Sequence, residues 1–285
     1  VSETGRVIAA HGRHYLVELP DGATLECVPR GKKSEVACGD SVILRRSGND
    51  QGVIDSIEPR RSLLYRSDGF KQKLIAANVT QLVFVVATEP TFNDELLARC
   101  LLAAHEQSLD TLIVLNKCDL PQTDGARARL SPYRQIGYRI LELSARLDAS
   151  PLLPLLHGHT SVLVGQSGMG KSTLVNALIP NAQAATREIS TALDSGKHTT
   201  THARLYHLDA DSHLIDCPGV QLFGLHHLDF ATLEQNFPEF RPYLGQCRFA
   251  NCRHAHEPDC AIRKAAEMGA IDKRRLELFQ QIARS

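Results

Sequence analysis

Residues 165–172 read Gly165-Gln166-Ser167-Gly168-Met169-Gly170-Lys171-Ser172, with Thr173 next. The apolar run Ser161–Val164 precedes them and a helical stretch, Ser172–Leu178, follows. A strand that ends in a glycine-rich loop and opens into a helix is the setting in which this spacing cradles phosphate. The glycines let backbone amides turn inward onto phosphate oxygens, and the helix N-terminus adds its positive end. Lys171 has the reach for β and γ phosphates, and the Ser172 hydroxyl is suited to ligate Mg²⁺. The stretch predicts an α/β domain with a parallel sheet and covering helices.

Upstream, Gln81–Ala87 is a continuous apolar run, as a strand buried on both faces should be. A helical pattern over 93–108 and the strand Thr111–Leu115 lead to Asn116-Lys117-Cys118-Asp119. The Asp119 carboxylate can accept two N–H bonds from a guanine edge. The Asn116 amide can brace the loop and touch the base, and the Lys117 stem can lie on the ring face. A further strand, Tyr138–Leu143, ends in Ser144-Ala145, whose backbone amide can serve the guanine carbonyl. These elements predict GTP or GDP as ligand. Guanine-nucleotide proteins normally run phosphate loop first and base readers last, and here the base readers come first. A parallel sheet tolerates that order, because the site gathers at strand C-termini whichever way the chain visits them.

Downstream, the strand His213–Ile215 runs into Asp216-Cys217-Pro218-Gly219. Asp216 can hold Mg²⁺ through a water, and the Gly219 amide can sense the γ-phosphate. Between this element and the phosphate loop lies Gly196-Lys197-His198-Thr199-Thr200-Thr201. Of the three adjacent threonines, Thr200 is assigned as the Mg²⁺ ligand that closes over the nucleotide. Val220 stands where a water-orienting glutamine is usual, so His198 is the group nearest to hand to polarise the attacking water. Lys171, Thr200 and His198 are the candidate catalytic residues.

The two flanks differ from this centre. Residues 1 to about 60 read as short strands near 10-residue spacing, with a turn at Pro20-Asp21-Gly22, which predicts a small β-barrel. A linker is expected over about 60–75. Residues 225–285 look helical and irregular, and hold Cys247, Cys252, His254 and Cys260. Three thiolates and an imidazole form a closed tetrahedral set suited to one structural Zn²⁺, with His256 a rival to His254. The other five of the eight cysteines are scattered, which reads as reduced thiols rather than disulfides.

Composition excludes little. Net charge is +0, with 43% hydrophobic and 22% charged residues, so charge does not announce a nucleic-acid binder. Local basic groups stand at Arg30 to Lys33, Arg45-Arg46, Arg60-Arg61 and Lys273-Arg274-Arg275, and each could face RNA phosphates. No apolar run approaches a membrane span and no signal peptide is evident, so a cytoplasmic protein is expected.

Taken together, these motifs resemble the circularly permuted, small-ribosomal-subunit-dependent GTPases of the RsgA/YjeQ family. The run Leu74–Val79 at the barrel junction is also similar to that family. The resemblance implies an OB-fold, RNA-binding barrel over 1–68, a permuted GTPase domain over 69–224 and a zinc domain over 225–285. It implies subunit-stimulated hydrolysis of GTP in late maturation of the small ribosomal subunit, with the subunit and its rRNA as partners. It matches Val220 to the family's hydrophobic replacement of glutamine and His198 to its proposed catalytic histidine. A monomer is expected. Family members often carry a basic N-terminal segment, whereas this sequence opens at Val1 close to the first barrel strand. If the start is trimmed, a weaker hold on the ribosome is expected. The alternative is an RNA-binding protein whose affinity is set by guanine nucleotide without a turnover-dependent function. A metabolic phosphotransferase would need an acceptor pocket and second base that the sequence does not display.

Overall fold

The structure, a computed structural model, describes residues 2–31, 35–68, 71–179, 182, 203–217 and 229–284. The expectations for His198, Thr200, Gly219 and Val220 lie outside these residues.

Five strands open the chain: β1 (Ser2–His11), β2 (His14–Glu18), β3 (Thr24–Pro29), β4 (Ser41–Arg46) and β5 (Gln51–Ile57). Alternation builds them. Tyr15 and Val17, Leu25 and Cys27, and Val42 and Leu44 point inward at i and i+2 into a core of their own. β1 pairs with both β2 and β4, β2 with β3, β3 in parallel with β5, and β5 with β4. The ring closes on itself, which removes the exposed sheet edges that invite aggregation.

Where a linker is expected, the chain instead forms an antiparallel hairpin, β6 (Leu63–Asp68) and β7 (Lys71–Ala77). In each arm the apolar residues (Leu63–Tyr65, Leu74–Ala77) and the polar ones stand in separate blocks, and the register shifts at Leu64/Tyr65, so neither shows the clean alternation by which a strand is recognised.

Among the described residues, six strands form the central sheet: β8 (Gln81–Ala87), β9 (Asp110–Asn116), β10 (Arg139–Glu142), β11 (Thr160–Val164), β12 (Arg204–His207) and β13 (His213–Asp216). Their order is β10-β9-β8-β11-β13-β12, parallel at every join except the last. Every residue of β8 is buried, as its unbroken apolar run requires. Helices α1 (Asp94–Glu106), α2 (Thr123–Gln135), α3 (Leu153–Leu156) and α4 (Lys171–Leu178) connect the strands. α1 is capped by Asn93, whose side-chain oxygen accepts the Leu96 N–H at 3.0 Å. The strand that feeds the phosphate loop, β11, thus sits between β8 and β13, with β9 and β10 beyond β8.

The C-terminal region packs α5 (Phe230–Gln235), α6 (Ala261–Glu267) and α7 (Lys273–Ile282) around Phe237, Phe240 and Phe279. α7 docks on α1. At this junction the buried Arg275 guanidinium pairs with Glu239 at 2.6 Å and lies 4.9 Å from the Tyr133 ring centre. Neighbouring Arg274 pairs with Asp94. Among the described residues, no helix is long and apolar enough to cross a membrane.

Candidate functional site

The C-terminal ends of β9, β11 and β13 and the loop after β10 open into a cavity of about 530 Å³. Its lining includes Asn116, Lys117, Ser144, Ala145, Gly165, Ser167, Gly168, Gly170, Lys171, Ser172, Thr173 and Asp216. Motifs separated by as much as a hundred residues of chain therefore share one wall.

Asn116 is the residue that joins them. Its Nδ2 donates to the Met169 carbonyl of the phosphate loop at 2.9 Å. Its Oδ1 accepts from the Lys117 N–H at 2.8 Å and the Ala145 N–H at 2.9 Å. With the side chain buried and each polar atom engaged, Asn116 staples three loops into one frame. The Ala145 N–H, expected to serve a guanine carbonyl, is held by this staple.

The phosphate loop needs its glycines for space as well as for dihedral freedom. At Gly170, φ is +91° and a Cβ would stand 2.3 Å from Asn116 Nδ2; at Gly165 it would meet the Val85 carbonyl oxygen at 2.3 Å. Gln166 and Met169, expected at the nucleotide, are not among the residues that line the cavity. The Gln166 side chain turns outward to accept the Asn93 N–H at 2.7 Å, and Met169 is buried. Ser167, Gly168, Ser172 and Thr173 stay exposed toward the cavity.

Lys171 Nζ bridges the loop, donating to the carbonyls of Gly165 at 2.6 Å and Gln166 at 2.8 Å. Burial lowers its pKa, and the facing Asp216 works against that. Asp216 is the mirror case: burial raises its pKa and Lys171 pulls it back. A half-buried carboxylate and an exposed hydroxyl, Ser172, on one cavity wall are a donor set that suits a hard divalent cation. At the other end of the cavity, the Ser144 hydroxyl donates to the exposed Asp119 carboxylate and lowers its pKa. That hydrogen bond keeps Asp119 anionic and oriented, the state a double N–H acceptor needs.

Arg146 also lines the cavity, and it adds to the fields that keep Asp119 charged. A lone arginine in a turn after Ser144-Ala145 carries no sequence signal, so this residue was legible only in three dimensions.

The cysteine cluster is assembled as its spacing predicts. The ligand atoms of Cys247, Cys252, His254 and Cys260 lie within 4.8 Å of one another. Cys247 Sγ is 3.8 Å from Cys260 Sγ and 3.6 Å from His254 Nδ1, and His254 Nδ1 is 3.3 Å from Cys260 Sγ. Zn–S bonds of about 2.3 Å at tetrahedral angles place sulfurs about 3.8 Å apart, so the donor set fits Zn²⁺. The rival His256 is exposed and stands outside the cluster. His254 Nε2 lies 3.0 Å from Glu234 Oε2, which leaves Nδ1 facing the sulfurs. Glu234 sits on α5, and sequence reasoning missed it.

Most of the candidate RNA-facing arginines already have carboxylate partners. Arg45 pairs with Asp55, Arg46 with Glu3, Arg60 with the buried Asp40, Arg274 with Asp94 and Arg275 with Glu239.

Known proteins resemble this chain in sequence over its whole length and in fold. Over 98% of the chain and 92% of its own length, the Small ribosomal subunit biogenesis GTPase RsgA of Paraburkholderia xenovorans is 57% identical. The protein of that name from Nitrosomonas europaea is 54% identical over 99% of the chain and 91% of its own length. The crystal structure of YjeQ from Thermotoga maritima superposes with a TM-score of 0.74 at 27% identity, covering 99% of this chain and 98% of that one. YloQ, described as a circularly permuted GTPase, follows at 0.70 and 25% identity, covering 99% and 94%. A model of the RsgA GTPase family matches residues 57–226, and with whole-chain relatives above half identity, the chain belongs to that family.

Proposed function

We propose that this protein hydrolyses GTP to GDP and phosphate on the small ribosomal subunit and assists a late step of that subunit's biogenesis. The observation that carries the reading is the Asn116 staple. It joins the base-reading loops to the phosphate loop as one rigid frame, which is what a guanine-nucleotide switch requires. The high identity to relatives named for small-subunit biogenesis supports the partner.

In this reading Asp119 takes the guanine edge, with Lys117 along the ring face. The phosphate-loop amides and Lys171 hold the β and γ phosphates. Ser172 and Asp216, with Thr200, would hold Mg²⁺, and Gly219 would sense the γ-phosphate. The ion, when bound, offsets charge on the phosphate oxygens. His198 orients the attacking water in place of a glutamine, because Val220 has no polar group to do so. Cys247, Cys252, His254 and Cys260 hold one structural Zn²⁺. We further propose that the protein is a cytoplasmic monomer with domain limits at 1–68, 69–224 and 225–285.

The test is GTP hydrolysis by the full chain with and without small ribosomal subunits, beside His198→Ala. Strong stimulation by subunits is expected, with the stimulated rate about 100-fold lower in the variant, in the range for a lost general base, and GDP affinity retained. Absence of stimulation in the wild type would sink the ribosomal reading. A fully active variant would remove His198 from the chemistry.

A further inference from the structure

Barrel strand β1 meets the central sheet at its edge strand β12. Ala9 of β1 is the antiparallel partner of Arg204 at the head of β12, and Arg204 is in turn the partner of Asp216 in β13. The Ala10 N–H reaches the Ala203 carbonyl at 3.4 Å. At the far end of β12, His207 is the register partner of His213. There His207 Nδ1 lies 3.0 Å from His213 Nδ1, and His207 Nε2 lies 2.8 Å from Glu18 Oε2 at the end of barrel strand β2. The two imidazoles meet edge to face with centroids 4.9 Å apart. The barrel therefore grips β12 at both ends, and β13 beside it ends in the carboxylate that lines the nucleotide cavity.

The hydrogen bonds of this chain can run with a single polarity. His213 is buried, and burial with Arg6 and His207 nearby pushes its pKa down to about 4, against Asp209 and Asp211. A neutral His213 can donate from Nδ1 to His207 Nδ1, and His207 can then donate from Nε2 to the Glu18 carboxylate. An exposed Glu–His pair alone would contribute little. Here it is continued by a buried ring on the strand that carries Asp216. The chain is not needed to attach the barrel. A second junction does that, through the Ala77 N–H on the Cys38 carbonyl at 2.8 Å and Asn78 Nδ2 on the Gly39 carbonyl at 3.0 Å.

We propose that the Glu18–His207–His213 chain is a clasp through which the barrel positions Asp216, so that a small ribosomal subunit engaging the barrel acts on the nucleotide cavity along β12 and β13. The identity of the subunit as the engaging partner rests on the function proposed above; the clasp itself does not. His207 and Glu18 are positioning residues, and neither lines the nucleotide cavity.

Full-length Glu18→Ala and His207→Ala are compared with Glu18→Gln, which keeps an acceptor for the His207 Nε2–H. Amide hydrogen exchange is followed with GDP bound, and GTP hydrolysis is followed with and without subunits. Glu18→Ala, although a barrel change, should speed exchange in β13 (213–216) as well as β12. It should cut the subunit-stimulated rate about tenfold, within the range common for coupling between sites, while intrinsic hydrolysis and subunit binding persist. His207→Ala should do the same and Glu18→Gln should restore both readouts. Faster exchange confined to the edge of β12, with β13 unchanged, would overturn the clasp. So would full stimulation in both alanine variants. If the wild type itself is not stimulated by subunits, the ribosomal partner is wrong, and the exchange pattern in β13 alone decides the clasp.

Discussion

The zinc-type cluster and the nucleotide cavity are built in opposite ways. Cys247, Cys252, His254 and Cys260 lie close together in the chain, and their donor atoms converge within 4.8 Å. The nucleotide cavity draws on residues from Asn116 to Asp216, delivered by strands whose order in the sheet differs from their order in the chain. The first site is local and small, so the Zn²⁺ proposed for it would couple the region's stability to the ion. The second is set by a preorganised frame of backbone loops, and its fixed point is one amide side chain.

Metal removal should break this comparison most sharply. Chelation, or Cys252→Ala, should unfold the region after residue 229, because structural zinc contributes about 10–16 kcal/mol in small zinc modules. Proteolysis or NMR would show the C-terminal region opening, while fluorescent GDP still binds. Parallel loss of GDP binding would mean that α7 docked on α1 is part of the nucleotide frame, and the two regions are not separable.

The next largest effect is expected at the staple. Asn116→Ala leaves the Met169 carbonyl and the Ala145 N–H without their partner. Each such loss costs about 1–3 kcal/mol, so GDP affinity should fall about 100-fold or more. Calorimetric titration measures the affinity, and zinc content should be unchanged. A variant that binds GDP normally would show that the loops hold their places without Asn116.

The smallest effect lies on the barrel side, away from both sites. His213 has a folded pKa of about 4, below its ordinary 6.5, because burial disfavours its charged form. The unfolded chain therefore binds more protons between those values. This contribution is intact above about pH 6.5 and is lost as pH falls toward 4. On acidification from pH 7 to 5, the wild type should lose about 3 °C more in Tm than His213→Gln, roughly 1 kcal/mol for a domain of this size. Equal losses would mean that protonation of His213 is accommodated by Asp209 and Asp211.

Legibility followed the range of the interaction. The phosphate loop was readable because strand, glycines and helix are contiguous, and the cysteine set because its spacing suits tetrahedral coordination. The barrel strands announced themselves by alternation, as at Tyr15 and Val17. The β6–β7 hairpin did not, because its arms group apolar and polar residues in blocks and lack that period. Glu234, which orients His254, and Arg146, which faces the nucleotide cavity, were invisible because a lone charged residue looks the same paired or solvated. For the same reason Arg275 read as a surface cation and proved to be buried on Glu239.

By itself the sequence determined the chemistry available: a phosphate-binding loop, guanine-reading side chains, a closed thiolate–imidazole set and a permuted order. These depend on residue types at short spacing, where backbone geometry leaves little choice. Only the tertiary structure decided that Asn116 joins three loops, that most of the candidate RNA-facing arginines already have carboxylate partners, and that the barrel reaches Asp216 through β12. Those facts depend on which strands lie side by side. Strand order is set by burial of the whole sheet, a sum over many distant contacts that no single stretch of chain carries.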